Sequence, residues 1–428
     1  MIIKRESINN VGIFYFLLVS GGGNILSQTI VLIISTIFFL ILNKIYLTKK
    51  IFNLIISILI LLIIHYFLVL ITNNQIPNVN DYVRLFFLIC FPLSIIISCQ
   101  DQFWKFLEQN IFLLVCISLF FFSIQLKNFP FLNSFMIYIE KLTGNSKNEL
   151  YANSRFSYHS IIIYTMNVHQ DVMTSFLKHR NCGFAFEPGY FSFFINLGLF
   201  LSNIINKEKK IKKNIIYIIA LISTFSTTGM IAILFIFIIR MQNDSQRYKA
   251  VYIPIISIVI IAFLTLDYGK DKVENLYNKR ESMEQIIEKS NNYNDIVTSM
   301  GRFTALEFFS TYTFHHSPLF GFNGIEPYEN KNIGNPSGLS KVIYLFGFVG
   351  AIFIFIKLYK SIKLLFLNFN IKGFSFFYLF FIVYIFSFPM INLPFFWLVC
   401  FYSSMKFKQR NRIFKTKMPN KIGYPLIN

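Results

Sequence analysis

Charged residues are scarce in this sequence, and acidic residues are the scarcest. Of the 428 residues, 14% are Asp, Glu, Lys or Arg and only 20 are acidic, whereas 55% are hydrophobic and 18% are aromatic. In a typical soluble domain, about 25% of the residues are charged. A soluble fold could not bury so much apolar surface, so the composition excludes an ordinary soluble protein.

The chain also lacks the motifs of common cofactor and metal chemistry. It has 5 cysteines, no CxxC pair, no HExxH, no GxxxxGK[ST] loop and no nucleotide-binding glycine fingerprint. These absences give no support to a disulfide framework, metal hydrolysis or ATP-driven chemistry. His315 and His316 are adjacent, so their side chains point apart on most backbones. We therefore expect neither a metal site nor a cofactor.

Long uncharged runs indicate membrane-spanning helices. Residues 51–71 and 250–266 contain no Asp, Glu, Lys or Arg, and their lengths approach the roughly 20 residues that cross a bilayer as a helix. The runs are continuously apolar, unlike the alternating pattern of a barrel strand. We predict an all-α polytopic integral membrane protein, a single membrane domain over residues 1–428, with about twelve transmembrane helices and at least about ten.

Three apolar stretches are too interrupted, or too closely flanked by basic residues, to be one crossing each. Every one of them contains small, polar or proline residues that favour a turn. Each stretch is therefore predicted to form two helices, several of them short. The predicted turns lie at residues 21–23, 227–229 and 392–394.

The formal charge of +20 is concentrated in short clusters beside the apolar runs. Lysine and arginine beside membrane spans mark the cytoplasmic side and face anionic lipid headgroups, so these clusters indicate topology and not nucleic-acid binding. We expect both termini, with a basic tail over residues 406–428, to be cytoplasmic. The clusters lie at residues 44–50, 207–213, 240–249, 357–363 and 406–421.

Two longer segments then fall on the outer side, residues 127–181 and residues 267–339. Neither is large or apolar enough to be an independent domain, so we predict two extracytoplasmic loops that cap the helix bundle. Any specific chemistry is expected at this outer surface.

The segment from Arg180 to Tyr190 brings a cation and a carboxylate to the start of a helix. Pro188 suits a first helical turn, where its missing N–H costs nothing, and this puts Glu187 at or near the cap. Free backbone N–H groups and the positive end of the helix dipole favour an anionic group at such a place. The alternative is structural, with Glu187 capping its own helix and Arg180 reaching lipid headgroups.

The long outer loop adds two further arginines. Residues 271–289 fit an amphipathic helix that carries Arg280 inside its apolar face. This arginine either pairs with Glu284 or binds an anionic ligand. Gly301 breaks the preceding chain and leaves Arg302 at the start of a new helical pattern.

Arginine thus recurs on the side of the membrane that should be poor in positive charge. A guanidinium binds phosphate oxygens in pairs and keeps its charge at the membrane surface. The outer arginines are Arg155, Arg180, Arg280 and Arg302.

The order and sidedness of these motifs resemble those of the bacterial oligosaccharide repeat-unit polymerases of the Wzy type, which are related to the O-antigen ligases. The most telling string is Arg-Asn-x-Gly-x-x-x-Glu-Pro-Gly at residues 180–189. The resemblance covers most of the chain loosely. Weaker matches are Ser226-Thr227-Thr228-Gly229, Gly301-Arg302 and the turn-rich segment 317–324.

The resemblance implies a glycosyltransferase, independent of metal and nucleotide, that joins polyprenyl-diphosphate-linked oligosaccharide units at the outer face of the bacterial cytoplasmic membrane. The product would be O-antigen, capsule or exopolysaccharide. The implied partners are the lipid-linked oligosaccharide, membrane lipids, and the flippase and chain-length regulator of the same pathway. Ligases usually carry an arginine where Gly229 stands here, and a His-Asn pair where Asn335-Pro336-Ser337 stands. Both departures favour a polymerase.

The resemblance also suggests catalytic and binding roles for the outer residues. Glu187 is the candidate base for the acceptor hydroxyl, and Arg280 and Arg302 are the candidate stabilisers of the leaving group. The expected diphosphate ligands are Arg155, Arg180, Arg280 and Arg302. Secondary candidates for the proton are His159, His179 and His316. Four tyrosines either stack on sugars or simply populate the membrane interface, namely Tyr151, Tyr158, Tyr312 and Tyr328.

Two other functions stay open. An O-antigen ligase-type transferase would share the motifs, and a lipid-oligosaccharide flippase or other transporter would share the hydrophobicity, the basic clusters and the helix breaks. Transporters tend to show internal repeats and ionisable residues at mid-membrane. Neither feature is evident in this sequence. The charged residues lie almost wholly in the predicted loops, and the two large outer loops are asymmetric.

Overall fold

The structure is a computed structural model that describes residues 5–22, 28–42, 49–143, 156–169, 179–205, 210–243, 302–325 and 337–405. Over these ranges the chain forms thirteen α-helices and one three-stranded sheet. Several sequence predictions lie outside the described residues. They concern Arg155, Arg280, the amphipathic helix at 271–289, Gly301 and the basic tail at 406–428.

The thirteen helices are numbered here in chain order. Their bounds are α1 Arg5–Ser20, α2 Thr29–Leu42, α3 Lys49–Asn73, α4 Val79–Cys99, α5 Phe103–Lys127, α6 Phe129–Thr143, α7 Pro188–Ile205, α8 Lys210–Ser223, α9 Thr227–Asn243, α10 Arg302–His316, α11 Gly338–Phe369, α12 Phe374–Ser387 and α13 Pro394–Phe401. Single 3-10 turns lie at Gln100–Gln102, Met390–Asn392 and Tyr402–Met405.

Five of the described helices are long and apolar enough to cross a membrane, namely α3, α4, α5, α7 and α11, and α2, α9, α12 and α13 are shorter apolar helices. Large apolar side chains of α3, such as Leu59, Ile63 and Phe67, are exposed. A surface of this kind is stable against lipid and not against water. The predicted helical membrane architecture is therefore confirmed in outline, while the number of about twelve crossings stays a prediction.

The predicted turns occur, one of them three residues earlier than expected. Helix α1 ends just before Gly21, and the turn Met390–Asn392 separates α12 from α13. Between α8 and α9 the break lies at residues 224–226 and not at the predicted residues 227–229. The reason is Ser226, whose hydroxyl accepts the backbone N–H of Gly229 at 3.2 Å. Ser226 is thus the N-cap of α9, and the threonines fall in the first helical turn.

The all-α prediction is wrong in one respect, because the predicted outer loop at residues 127–181 includes three strands as well as helix α6. Strands β1 (Phe156–Ile161), β2 (Tyr164–His169) and β3 (His179–Asn181) form an antiparallel sheet in the order β1-β2-β3. The hairpin between β1 and β2 turns at two isoleucines, so the Asn-Gly signal of a tight turn is missing. Apolar packing of the sheet on α6 stabilises it instead, through Leu132, Met136, Tyr164 and Met166.

The bundle has two chemically different ends. At one end, which we call the basic end, Lys213 near the start of α8 forms an ion pair with Glu108 in α5 at 2.8 Å. Asn243 at the end of α9 donates to the Lys372 carbonyl at the same end. The opposite end, the site end, carries the starts of α4, α7, α9 and α11. Glu108 is fully buried within α5, which corrects the expectation that charged residues lie almost wholly in loops.

Candidate functional site

Glu187 lies at the site end, directly before α7. Strand β3 leads into a tight turn in which Asn181 accepts the backbone N–H of Gly183 at 2.9 Å and Gly183 has a φ of 53°. Only glycine adopts such a φ readily. The helix then starts at Pro188, and the N–H of Phe191 donates to the Glu187 carbonyl at 3.1 Å. The predicted position of Glu187 at the helix start is confirmed.

Arg180, on β3, binds the end of helix α8. Its Nε donates to the Thr224 carbonyl at 3.1 Å and one terminal nitrogen donates to the Phe225 carbonyl at 3.0 Å. The last carbonyls of a helix lack partners within the helix and carry the negative end of its dipole, so a guanidinium is a favourable partner. Arg180 therefore holds the α8–α9 turn beside Glu187 and does not point to lipid headgroups.

Arg302 reaches the same place from the other side. It is the first residue of α10, as predicted, and its guanidinium carbon lies 4.8 Å from the centre of the Phe388 ring. The Phe388 ring lies 5.1 Å from the ring of Tyr190. Gly189 lets the Phe388 ring pack directly against α7, because a Cβ atom there would overlap the ring. Phe388 thus links the start of α7 to Arg302.

The electrostatics centre on the Glu187 carboxyl. It keeps some exposed surface, but protein surrounds it closely, and this burial raises its pKa, while the positive charges of Arg302 and Arg180 act in the opposite direction. No described residue donates a hydrogen bond to this carboxylate. A carboxylate with a raised pKa and unfilled acceptor positions can take a proton from a hydroxyl group.

A buried polar seam below the site joins α7, α9 and α12. The Asn196 amide donates to the Tyr384 hydroxyl and to the Gly229 carbonyl, both at 2.9 Å. Thr228 donates to Ser387 at 2.9 Å. A Cβ atom at residue 229 would lie only 2.6 Å from Ser192, so glycine is required there. In the described structure the Ser226–Gly229 motif therefore positions helices and supplies no charged group.

The three histidines that were candidates for the proton contact other residues and not Glu187. His159 contacts Glu140 at 2.9 Å in a buried pair. His179 contacts the side chain of Gln125 at 3.2 Å. His316 stacks on Tyr312 with ring centres 4.3 Å apart. Tyr312 is thereby engaged with a histidine ring, and Tyr151 and Tyr328 lie outside the described residues.

Sequence reasoning missed Glu140. It faces the sheet from α6, and its second oxygen accepts the Ser160 backbone N–H at 2.6 Å. Its only signal was a lone acidic residue in an otherwise apolar stretch. Across the described ranges, no three His, Cys, Asp or Glu side chains come together as metal ligands would. All five cysteines are free thiols.

The structure thus brings together three motifs that are far apart in sequence. The strand-turn-helix segment supplies Arg180 and Glu187, the α8–α9 turn supplies carbonyl groups, and α10 supplies Arg302. No family model, curated protein or solved structure matches the chain. A function has to be inferred from the chain's own residues.

Proposed function

We propose that this protein is a membrane glycosyltransferase that polymerises polyprenyl-diphosphate-linked oligosaccharide units into surface polysaccharide, at the outer face of the bacterial cytoplasmic membrane. The observation that carries the proposal is Glu187, a closely packed carboxyl group between Arg180 and Arg302 at the end of an apolar helix bundle. This combination suits a substrate with an apolar tail, an anionic head and a reacting hydroxyl group.

The two arginines support a diphosphate ligand in different ways. The Arg302 guanidinium lies over the Phe388 ring, and the planar fork of a guanidinium matches pairs of phosphate oxygens. Arg180 already donates two hydrogen bonds to backbone carbonyls. We propose that Arg302, whose charge acts on Glu187 from the start of α10, contacts the diphosphate. Arg180 contributes its charge and holds the turn in position.

The proposed reaction needs no metal or nucleotide because the donor carries its own leaving group. A hydroxyl oxygen of the acceptor sugar attacks the anomeric carbon of the donor glycan, and a new glycosidic bond forms. The bond from that carbon to the diphosphate oxygen breaks, and the electron pair leaves on polyprenyl diphosphate. The hydroxyl proton passes to the Glu187 carboxylate and then to water. Arg302 and Arg180 stabilise the negative charge of the leaving group.

The location supports a lipid-linked substrate. The site end lies where α4, α7 and α11 begin, and each of these helices is long enough to cross a bilayer. A headgroup at the membrane surface would meet Glu187, while its polyprenyl chain would lie along exposed apolar side chains such as those of α3. Described lysines at the basic end, such as Lys213 and Lys372, favour a cytoplasmic location for that end.

The test uses the full chain, purified into lipid nanodiscs and given polyprenyl-diphosphate oligosaccharide without nucleotide or added metal. A polymerase yields a ladder of longer glycans that remain on polyprenyl diphosphate. Transfer only to a different lipid acceptor would identify a ligase. Movement of the intact substrate across the membrane, with no new bond, would identify a transporter. Either of these last two results would contradict the proposal.

A further inference from the structure

A cavity of about 390 Å³ lies beside the candidate site, at the same end of the bundle. Ile391 and Asn392 line it and follow Phe388 in the chain. Lys341 also lines it, one turn after Gly338, which packs against the Phe388 backbone. The segment 388–392 therefore contacts the candidate site through Phe388 and lines the cavity through Ile391 and Asn392. The size of the cavity falls within the range of about 300–1,000 Å³ usual for small-molecule sites.

The charged groups of the cavity are not paired with one another. Arg84, Asp81 and Lys341 all line it, and Lys341 is close enough to the other two for their charges to act on it. Within the part of the chain that the structure describes, Asp81 forms no ion pair within 4.0 Å with Arg84 or Lys341. Two cations and one carboxylate leave a net positive charge. Neighbouring cations repel each other unless an anion lies between them.

Amide groups complete the polar lining. Asn78, Asn323 and Asn392 come from three different segments. Asn323 is 5% exposed, and its amide group lies beside the Tyr82 hydroxyl. The nearby Tyr82 hydroxyl is already in contact with His65 at 3.0 Å. The Asn323 amide has two N–H donors, so it can bind a ligand oxygen atom as well as the Tyr82 hydroxyl.

We propose that this cavity binds the diphosphate and first sugar of a second lipid-linked oligosaccharide, the acceptor of the transfer. Arg84 and Lys341 would bind the diphosphate, and Asp81 and Asn323 the sugar hydroxyls. The assignment to the acceptor rests on the proposed function. A polymerase must hold two lipid diphosphates at once: the donor's leaves at Glu187, while the acceptor's stays intact, because the acceptor reacts at its far sugar. No bond forms or breaks in this second subsite.

Binding can be measured without turnover. Native mass spectrometry of the full chain in detergent should show two polyprenyl-diphosphate oligosaccharides per chain. Arg84→Gln and Lys341→Gln should each weaken one of the two binding events about tenfold or more, since a hydrogen bond to a charged group contributes about 1.5–3 kcal/mol. Arg84→Lys keeps the charge but loses the planar fork, so its effect should be smaller. Lys127→Gln, an exposed cation at the same end, is the matched control and should change nothing.

Competitors identify the source of the bound anion. Inorganic pyrophosphate should compete at the Arg84-dependent event, whereas phosphatidylglycerol should not. Equal displacement by phosphatidylglycerol would overturn the proposal and leave an ordinary lipid headgroup site. Unchanged binding in both Gln variants would overturn it as well, even if the wild-type protein makes polymer.

Activity separates this inference from the proposed function. In a working polymerase, Arg84→Gln should raise the KM for the lipid-linked unit about tenfold and leave kcat nearly unchanged, because the residue binds but does not react. An unchanged KM in that variant, with polymer still formed, refutes the acceptor subsite alone. A wild-type protein that binds two diphosphates but never forms a glycosidic bond refutes the proposed function, and the acceptor assignment with it.

Discussion

At the scale of single residues, the chemistry proposed here depends on one carboxyl group and the charges around it. Burial raises the pKa of Glu187, while Arg302 and Arg180 lower it. These two arginines are the charged groups that act on it from β3 and from α10. The balance makes Glu187 a stronger base than an exposed glutamate.

The pH dependence of activity follows from this balance. The base acts only when deprotonated, so activity should fall as the pH falls through the raised pKa of Glu187. Arg302→Gln removes a charge that lowers this pKa, so the acid limb of the pH–rate profile should move to higher pH. The rate at its maximum should also fall by about 10²–10³ because the leaving group loses its partner.

Two observations would contradict this assignment. An acid limb that stays in place, or moves to lower pH, in Arg302→Gln would separate the base from Arg302. Persistence of the limb in Glu187→Gln would mean that another group titrates. Lys127→Gln should leave the whole profile unchanged.

At the scale of elements, the ends of helices were predictable where proline or glycine sets them, but not at the Ser226 cap of α9. Pro188 begins α7, and Gly21 follows the end of α1. The β1–β2 hairpin was not predictable because its turn is Ile162-Ile163 and its stability comes from packing on α6. The cavity was missed for another reason: Arg84, Asn323 and Lys341 come from three distant segments, and only folding brings them together.

Gly189 provides a test of how the elements position Arg302. A Cβ atom at this residue would overlap the Phe388 ring, so Gly189→Ala should displace the ring and, with it, the Arg302 guanidinium. We expect a loss of activity of about 10²-fold, as is seen when reacting groups are misplaced by about 1 Å. Activity per folded molecule, measured after size-exclusion chromatography, checks this.

Gly198 is the matched control in the same helix. Its Cβ atom would lie 2.6 Å from Tyr217 and 2.7 Å from Ile111, away from the site. Gly198→Ala should therefore lower thermal stability as Gly189→Ala does, but leave the activity of the folded fraction intact. Equal activity losses in both variants would mean that packing in general, and not the position of Phe388, controls the reaction.

At the scale of the whole molecule, the two ends of the bundle have different roles. The site end holds the carboxylate, the arginines and the cavity. The basic end holds the described Lys213–Glu108 pair, in which the carboxylate is fully buried. We interpret this pair as structural, because it lies at the opposite end of α5 from the contacts of Gln125 with the sheet.

This interpretation predicts a stability effect without a catalytic one. Lys213→Met removes the cation that pairs with the buried Glu108 carboxylate, which should lower the free energy of unfolding by about 3 kcal/mol or more. The double variant Glu108→Gln, Lys213→Met should recover most of the loss because no charge is then left unpaired. Denaturant unfolding in detergent measures both. Full activity of the folded double variant is expected, and its absence would give the pair a part in function.

The most direct test of the central claim is the formation of glycan ladders by the wild-type chain and by Glu187→Gln, side by side in lipid nanodiscs. Our account predicts polymer from the wild-type protein and from Lys127→Gln, and a rate at least about 10²-fold lower from folded, membrane-inserted Glu187→Gln. Polymerisation by Glu187→Gln at the wild-type rate, or a wild-type protein that joins no units, would contradict it.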